Sequence, residues 1–303
     1  STSFGGAYWL WMLILFTFVV QAVSYEFQNK LGNILGPRVF QVCLVINGIV
    51  GPLLLGGAVA TFFDGSNFLV SKANITDSLQ PVISRWANAS NGLDALLDIW
   101  NVLFGLSVFF LARVLGALYI LNNVADDVLR QRCRRQVLGN VGAFLILFLT
   151  YFVRTLLKDG YAYDPLTGTI AMEPYKYLHN LLTMWPLLVL FVIGVGLLLY
   201  GVIRTVCSKV YVKGIWPAGI GVVLVVLVLL LITGWNNTAY YPSNADLQSS
   251  LTIVNSSSSK FTLTVMFYVS LLVPVVLAYI WYAWRQIDRH KLTRQEIKED
   301  EAY

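Results

Sequence analysis

The sequence predicts an all-α, polytopic bundle of transmembrane helices. Hydrophobic residues make up 57% of the 303 residues and charged residues only 12%, about half the ~25% charge of a soluble domain. The apolar residues form long blocks, and about 20 apolar residues in succession span the hydrocarbon core of a bilayer. Such a block must be helical because backbone groups in lipid have to pair within the chain. The alternating segments typical of a membrane β-barrel are not visible.

Seven apolar blocks are long enough to cross a membrane. The sixth contains an almost unbroken run of Val and Leu from Gly219 to Thr233. Trp and Tyr collect at the ends of several blocks, where amphipathic rings prefer the headgroup level. The predicted spans are 6–24, 39–63, 96–122, 135–157, 179–203, 214–234 and 262–284.

Lysine and arginine predict the orientation of these spans. One set of connections holds fourteen of them, and the other set holds five. The first set is Lys30, Arg38, Arg130, Arg132, Arg134, Arg135, Arg204, Lys209, Lys213, Arg285, Arg289, Lys291, Arg294 and Lys298; the second is Lys72, Arg85, Lys158, Lys176 and Lys260. By the positive-inside rule the first set and the C-terminus face the cytoplasm. The arginines around 130–135 lie in a short connection, which favours lipid headgroups over a nucleic-acid partner.

Metal and haem ligands are scarce. The chain has two histidines, His179 and His290, and three cysteines that form no C-x-x-C pair. No metal site and no catalytic residue is predicted. A haem held by His179 opposite Met184 or Met266 remains an alternative.

Ionisable and polar residues at depth are the candidate functional residues, because charge inside a span is costly. Arg113 falls near the middle of the third span, and either an interhelical contact or a polar, proton-conducting cavity explains it. Glu26 follows the first span, with Gln21 about one turn above it. We expect Glu26 and Arg113 to lie on the protein-facing sides of their helices. Arg154, nearer a helix end, is expected to extend outward to the interface.

Prolines and glycines leave a second class of function open. Pro52, Pro186, Pro217 and Pro274 are expected to interrupt helices, but they form no matched pair like the broken helices of transporters. Glycines in the second and fifth spans are predicted to pack helices closely. They are Gly51, Gly56, Gly57, Gly194, Gly196 and Gly201. The pattern alone therefore allows a secondary transporter as well as an enzyme subunit without its own redox centre.

Several segments carry a resemblance to a known family. In order along the chain they are Gly51–Ala60 with Gly65, Gly116–Tyr119, Pro242-Ser243, Ser250-Leu251-Thr252, Ser256–Ser259, Thr262–Met266, Pro274–Trp284 and Leu292–Ile297. Together they resemble subunit II of cytochrome bd-type quinol oxidases, most specifically in the C-terminal segments. The start, Ser3–Trp9, and the loop Ser66–Phe68 look most like the forms found in Bacteroidetes-type anaerobes.

This resemblance implies an arrangement of nine helices, of which seven are present, so that the first two would precede Ser1. The family has two four-helix bundles and one peripheral helix. The implied units are 1–63, the last two helices of the first bundle; 64–95, an outward (periplasmic) loop; 96–234, the second bundle; 235–261, a periplasmic loop; and 262–303, the peripheral helix and cytoplasmic tail.

The resemblance also implies a function. In this family the complex oxidises quinol, reduces O₂ to water and generates a proton-motive force in the bacterial cytoplasmic (inner) membrane. Haem b and haem d belong to subunit I, the expected heterodimer partner, while subunit II is a structural twin that can hold a structural quinone. Quinol, lipids and a small accessory subunit are further implied partners.

The same resemblance bears on proton transfer. Some members carry Arg and then Asp at the end of the first span present here, whereas this chain has Gln21 and Glu26. The acidic residue is kept as Glu26, but the arginine is replaced by Gln21. A proton path that depends on the arginine is therefore not expected in this chain. Glu26, Gln21 and Arg113 are the residues predicted for a proton path or a buried polar contact, and Arg113 is peculiar to this branch.

Overall fold

A computed structural model describes residues 2–28, 30, 35–71, 83–208 and 210–287. His290, the tail segment Leu292–Ile297 and residues 72–82 of the predicted loop 64–95 lie outside these ranges. The helices are α1 (Thr2–Gly5), α2 (Tyr8–Phe27), α3 (Pro37–Asp64), α4 (Ile99–Asn123), α5 (Asp127–Leu157), α6 (Lys176–Thr183), α7 (Trp185–Cys207), α8 (Ile215–Gly234), α9 (Ile253–Ser256), α10 (Lys260–Ser270) and α11 (Val273–Ile287).

Seven helical segments of the described chain are long and apolar enough to cross a membrane: α2, α3, α4, α5, α7, α8 and α10 with α11. This confirms the all-α, polytopic fold and the seven predicted spans. Short connections join α4 to α5 and α7 to α8, whereas the connections at 65–98, 158–184 and 235–259 are long.

The predicted start of the fourth span, at residue 135, is wrong by about two turns. Helix α5 already begins at Asp127, so the arginines of the predicted connection lie in its first turns. The Asp126 carboxylate accepts a hydrogen bond from the Leu129 backbone N–H at 3.0 Å, which caps the helix. Because Arg is also a strong helix former, the helix starts before the apolar segment does.

The fifth span likewise differs from its prediction. Helix α6 ends at Thr183, and α7 starts after a non-helical Met184 with φ of −93° and ψ of 57°. Pro186 lies in the first turn of α7, where a missing N–H costs nothing. The predicted span 179–203 therefore joins two helices, and its first residues belong to the short helix α6.

The other prolines have different effects. Helix α3 runs through Pro52 without a break. The last span is divided at Leu271 and Leu272, close to Pro274, whose ring would clash with the carbonyl four residues earlier. Pro217 falls in the first turn of α8.

Close helix packing depends on glycine, as predicted for some positions. A Cβ on Gly56 would lie 2.7 Å from the Gly105 Cα, so α3 and α4 approach backbone to backbone. A Cβ on Gly201 would lie 2.6 Å from the Gly214 carbonyl oxygen, which brings α7 against α8. Gly196 faces open space, so the prediction fails there.

The main core lies among α4, α5, α7 and α8 together with the end of α3. A stack of aromatic rings crosses it, with Phe144, Phe148, Phe152 and Phe191 spaced 4.8–5.8 Å apart. Helix α2 packs separately on α3, and α10 and α11 contain no buried residue.

Two ribbons that the all-α prediction did not include lie at one end of the bundle. Strands β1 (Phe68–Ser71) and β2 (Ile83–Trp86) pair antiparallel, as do β3 (Gly160–Tyr163) and β4 (Ile170–Glu173). Bridges between Ser66 and Ser243 and between Ala162 and Thr238 tie these loops together. We call this end the loop face (65–71, 83–98, 158–184 and 235–259) and the opposite helix ends the basic face.

Candidate functional site

A buried ionic cluster lies where α3 and α5 reach the loop face. Asp64, the last residue of α3, has a side chain that is only 3% exposed. Its Oδ2 accepts a hydrogen bond from the Tyr151 hydroxyl at 2.8 Å, and its Oδ1 accepts one from Lys158 Nζ at 2.7 Å. The Arg154 guanidinium donates to the same Oδ1. We call these four residues the Asp64 cluster.

Local structure explains how the cluster forms. Tyr151, Arg154 and Lys158 follow one another at spacings of three and four residues, so they share one face at the end of α5. Lys158 Nζ also donates to the Phe63 carbonyl at 2.6 Å, which satisfies one of the last carbonyls of α3. The Arg154 guanidinium stacks on the Trp100 ring of α4 at 4.6 Å. The cluster therefore joins three helices.

The electrostatics of the cluster are those of a buried ion pair with a second cation. Burial lowers the pKa of Lys158, while the Asp64 carboxylate beside it opposes that shift. Removing one partner from such a group leaves uncompensated charge in a low-dielectric region. The cluster thus fixes α3 against α5, which links the predicted unit 1–63 to the predicted unit 96–234.

Two buried hydroxyls belong to the same region. Tyr177 Oη and Thr155 Oγ1 have no hydrogen-bond partner among the described residues. Lys158 Nζ lies 5.5 Å from the centre of the Tyr177 ring. Burial raises the pKa of Tyr177 far above its usual value, so its hydroxyl stays protonated.

The sequence did not reveal this cluster. Asp64 and Lys158 were assigned to loops, and Arg154 was expected simply to extend to the interface. Arg154 does reach the end of the span, but it pairs there with Asp64. The sequence did contain one signal. Charged residues lie at the ends of the second and fourth spans, and these two spans run in the same direction, so their ends lie on the same face of the bundle.

Gln21 lies in a polar contact between α2 and α3. Asn47 Nδ2 donates to Gln21 Oε1 at 2.6 Å, and Asn47 is 6% exposed. The Asn47 Oδ1 atom is buried and has no hydrogen-bond partner in the described part of the chain. Asn47 is a polar residue of this seam that the sequence analysis did not single out.

Glu26 is not buried by this chain. Its side chain is 62% exposed and pairs with Lys30 one turn later. Gln21 and Glu26 are five residues apart, and at about 100° per residue their side chains point about 140° away from each other around α2. Glu26 therefore takes no part in the Gln21–Asn47 contact, and its protein-facing position in the assembled complex stays a prediction.

Arg113 is also exposed in this chain, and it lies a little past the middle of α4. Its Nη2 donates to Gln136 Oε1 at 3.1 Å, and its Cζ lies 5.6 Å from the Phe109 ring centre. Gln136 directly follows Arg135, so Arg113 is level with the end of the arginine group in the first turns of α5. No carboxylate of the described residues lies within ion-pair distance of it.

The polar contacts mark two levels of the bundle. Close approach of Gly56 to Gly105 aligns Asn47 of α3 with Arg113 of α4. Asp64 is 17 residues beyond Asn47 on the same helix, or ~25 Å at about 1.5 Å per residue. That distance approaches the roughly 30 Å of a hydrocarbon core. The Asp64 cluster and the Asn47 level are therefore two separate polar levels of the bundle, and α3 continues beyond Asn47 to Pro37.

Metal-binding chemistry finds little support in the described residues. They hold no group of three or more His, Cys, Asp or Glu side chains placed to bind a metal ion. His179 lies on α6, where its Nδ1 is 3.0 Å from Glu173 Oε1. The hydrogen bond from His179 lowers the pKa of Glu173.

The Gln21–Asn47 contact gives a first testable expectation. Gln21→Leu leaves the buried Asn47 amide without its acceptor and is expected to cost about 1–3 kcal/mol. Gln41→Leu, at an exposed position of α3, is the matched control and should change stability little. Thermal unfolding of the purified complex measures both. Equal melting temperatures for the two variants would show that the contact contributes nothing.

Comparison with known proteins gives a consistent result. Residues 1–287 match the family described as cytochrome bd terminal oxidase subunit II. The chain is 24% identical over 311 residues to cytochrome bd-I ubiquinol oxidase subunit 2 of Escherichia coli strain K12, covering 98% of this chain and 77% of that protein. The proteins of that name from E. coli O6:H1 and O157:H7 give the same values. The transporter alternative is not favoured, and the chain belongs to the cytochrome bd terminal oxidase subunit II family, as a subunit of a bd quinol oxidase.

Proposed function

We propose that this chain is the structural, haem-free subunit of its oxidase and that it supports a haem-bearing partner subunit. Family membership is the observation that carries the proposal. The exposed apolar surface agrees with it. Phe16, Phe18 and Val19 of α2 are 53–64% exposed, and α10 and α11 are exposed along their whole length. Lipid and a partner subunit are the surroundings that such a surface needs.

Haem b and haem d are assigned to the partner in this proposal. The sequence supports this, since two histidines are too few to supply the ligands of several haems. One of them, His179, contacts Glu173 on the loop face. Quinol oxidation and O₂ reduction would then take place in the partner, while this chain shapes and stabilises the complex.

The membrane arrangement belongs to the same proposal. We place the basic face and the C-terminus in the cytoplasm and the loop face in the periplasm of a bacterial inner membrane. The asymmetry of Lys and Arg supports this orientation. In family terms, α2 and α3 correspond to the end of the first four-helix bundle, and α4, α5, α7 and α8 correspond to the second. The shared core of α4, α5, α7 and α8 supports that division.

A contribution to proton handling is proposed only for the α2–α3 seam. Gln21, Asn47 and the exposed Glu26–Lys30 pair lie at its basic-face end. A polar contact in a membrane seam is a functional candidate because it is costly to maintain. A structural quinone and a small accessory subunit remain expectations from the family.

The deciding experiment purifies the complex from its own host through a tag on the C-terminus of the full-length gene product. A reduced-minus-oxidised spectrum with haem b and haem d bands, together with a larger co-purifying subunit, is expected. After mild dissociation of the two subunits in detergent, the haem absorbance is expected to remain with the partner alone. A colourless chain that purifies by itself would contradict the proposal.

A further inference from the structure

We propose that the outer surface of the Asp64 cluster is a binding site for an anionic phospholipid. An open groove of about 720 Å³ lies beside the cluster on the outer side of α4 and α5. It is lined by Trp100, Leu149, Thr150, Val153, Arg154, Leu157 and Lys158. No residue of the proposed proton-handling seam contributes to it, so this inference is independent of that role.

The groove has an apolar part that ends beside charged residues, as an acyl chain ends at a phospholipid headgroup. Leu149, Val153 and Leu157 follow one another every four residues, which places them in one row along α5. They are 51%, 51% and 55% exposed. This apolar row extends for ~12 Å at about 1.5 Å per residue and fits an acyl chain. The row ends beside Arg154 and Lys158, where the headgroup would lie.

The charge that faces the groove is positive. The Asp64 side chain is 3% exposed, whereas those of Lys158 and Arg154 are 16% and 29% exposed. A molecule in the groove therefore meets the two cations and not the carboxylate behind them. Asp98, the other acid that influences Lys158, caps α4 by accepting a hydrogen bond from the Trp100 N–H.

Arg154 is prepared to bind a phosphate. Among the described residues its guanidinium makes one hydrogen bond, to Asp64, while arginine has five N–H donors. Stacking on Trp100 fixes the guanidinium plane. A planar guanidinium with free donors binds phosphate oxygens in pairs, and an indole at this depth suits the headgroup region.

An anionic phospholipid fits these features better than the other occupants. A free phosphate would leave the apolar row uncovered, and a neutral lipid headgroup would gain less from the two exposed cations. An apolar helix of the partner subunit would cover the row but leave the two cations with only the single Asp64 carboxylate between them.

The test compares lipids with identical acyl chains on the delipidated, purified complex. Phosphatidylglycerol is expected to raise the melting temperature by about 2–4 °C, and phosphatidylcholine is expected to raise it clearly less. Native mass spectrometry should show phosphatidylglycerol retained on this chain. Equal effects of the two lipids would overturn the proposal, and so would an equal effect of inorganic phosphate alone.

Two groove variants and one control variant locate the lipid effect. Thr150→Trp fills the groove while all four residues of the Asp64 cluster are kept, and it should abolish the difference between the lipids. Leu138→Trp, at a position 60% exposed on the same helix but outside the groove, should preserve it. Val153→Glu puts a negative charge in the groove, and it too should abolish the difference between the two lipids. A lipid difference that persists in both groove variants overturns the site. These readouts do not depend on haem, so a colourless complex would refute the proposed function and leave this test valid.

Discussion

Replacing Asp64 by Asn is expected to destabilise the complex by about 3 kcal/mol, because Arg154 and Lys158 then lose their shared carboxylate. Asn keeps the size of the side chain and can still accept from Tyr151, so the loss reports charge rather than packing. The melting temperature should fall by on the order of 5 °C or more. Thermal unfolding monitored by circular dichroism on the purified complex measures this.

Asp159→Asn is the matched control for this prediction. Asp159 is an exposed acid next to Lys158 in sequence, and its neutralisation should change stability by less than about 0.5 kcal/mol. A double-mutant cycle of Asp64→Asn with Lys158→Met should show coupling, because the second change removes one of the two unpaired cations. If Asp64→Asn and Asp159→Asn have the same small effect, the cluster does not stabilise the fold.

Gly105→Ala is expected to have the second large effect. The added Cβ would lie 2.5 Å from the Leu53 carbonyl oxygen, and this backbone atom cannot move without shifting α3. Forcing a methyl group into a close-packed contact costs about 1–3 kcal/mol. Since α4 also carries Trp100, on which Arg154 of the Asp64 cluster stacks, a shift of α3 against α4 should lower the yield of assembled complex as well as its melting temperature.

Gly116→Ala provides the comparison on the same helix. A Cβ at Gly116 meets nothing within 4 Å, and Ala is a better helix former than Gly. This variant should therefore be neutral or slightly stabilising. Similar losses for both variants would mean that general loss of glycine flexibility, and not the α3–α4 contact, limits stability.

The spans could be predicted well because the bilayer imposes a local rule. Length and hydropathy of a single segment decide whether it crosses hydrocarbon, so all seven spans were found without knowledge of their neighbours. Boundaries were less accurate where a local polar group decided them. Asp126 starts α5 before the apolar residues begin, and Met184 separates α6 from α7.

The candidate site was harder to predict because its residues are far apart in sequence. Asp64 and Arg154 are separated by 90 residues, and no pattern within one span indicates that they meet. Arg113 shows the same limit. Its position within α4 could be read from the sequence, but only the pairing of α4 with α5 places it beside Gln136.

The sequence by itself determined the membrane class, the number of spans, the charge asymmetry of the connections and the family. These follow from the composition of continuous segments and from short motifs. Only the tertiary structure decided that Asp64 is buried between two cations, that Glu26 is exposed, that Asn47 pairs with Gln21, and that two β-ribbons connect the loops. Each of these depends on which helix ends and faces meet, and that is fixed by helix rotation and depth in the packed bundle.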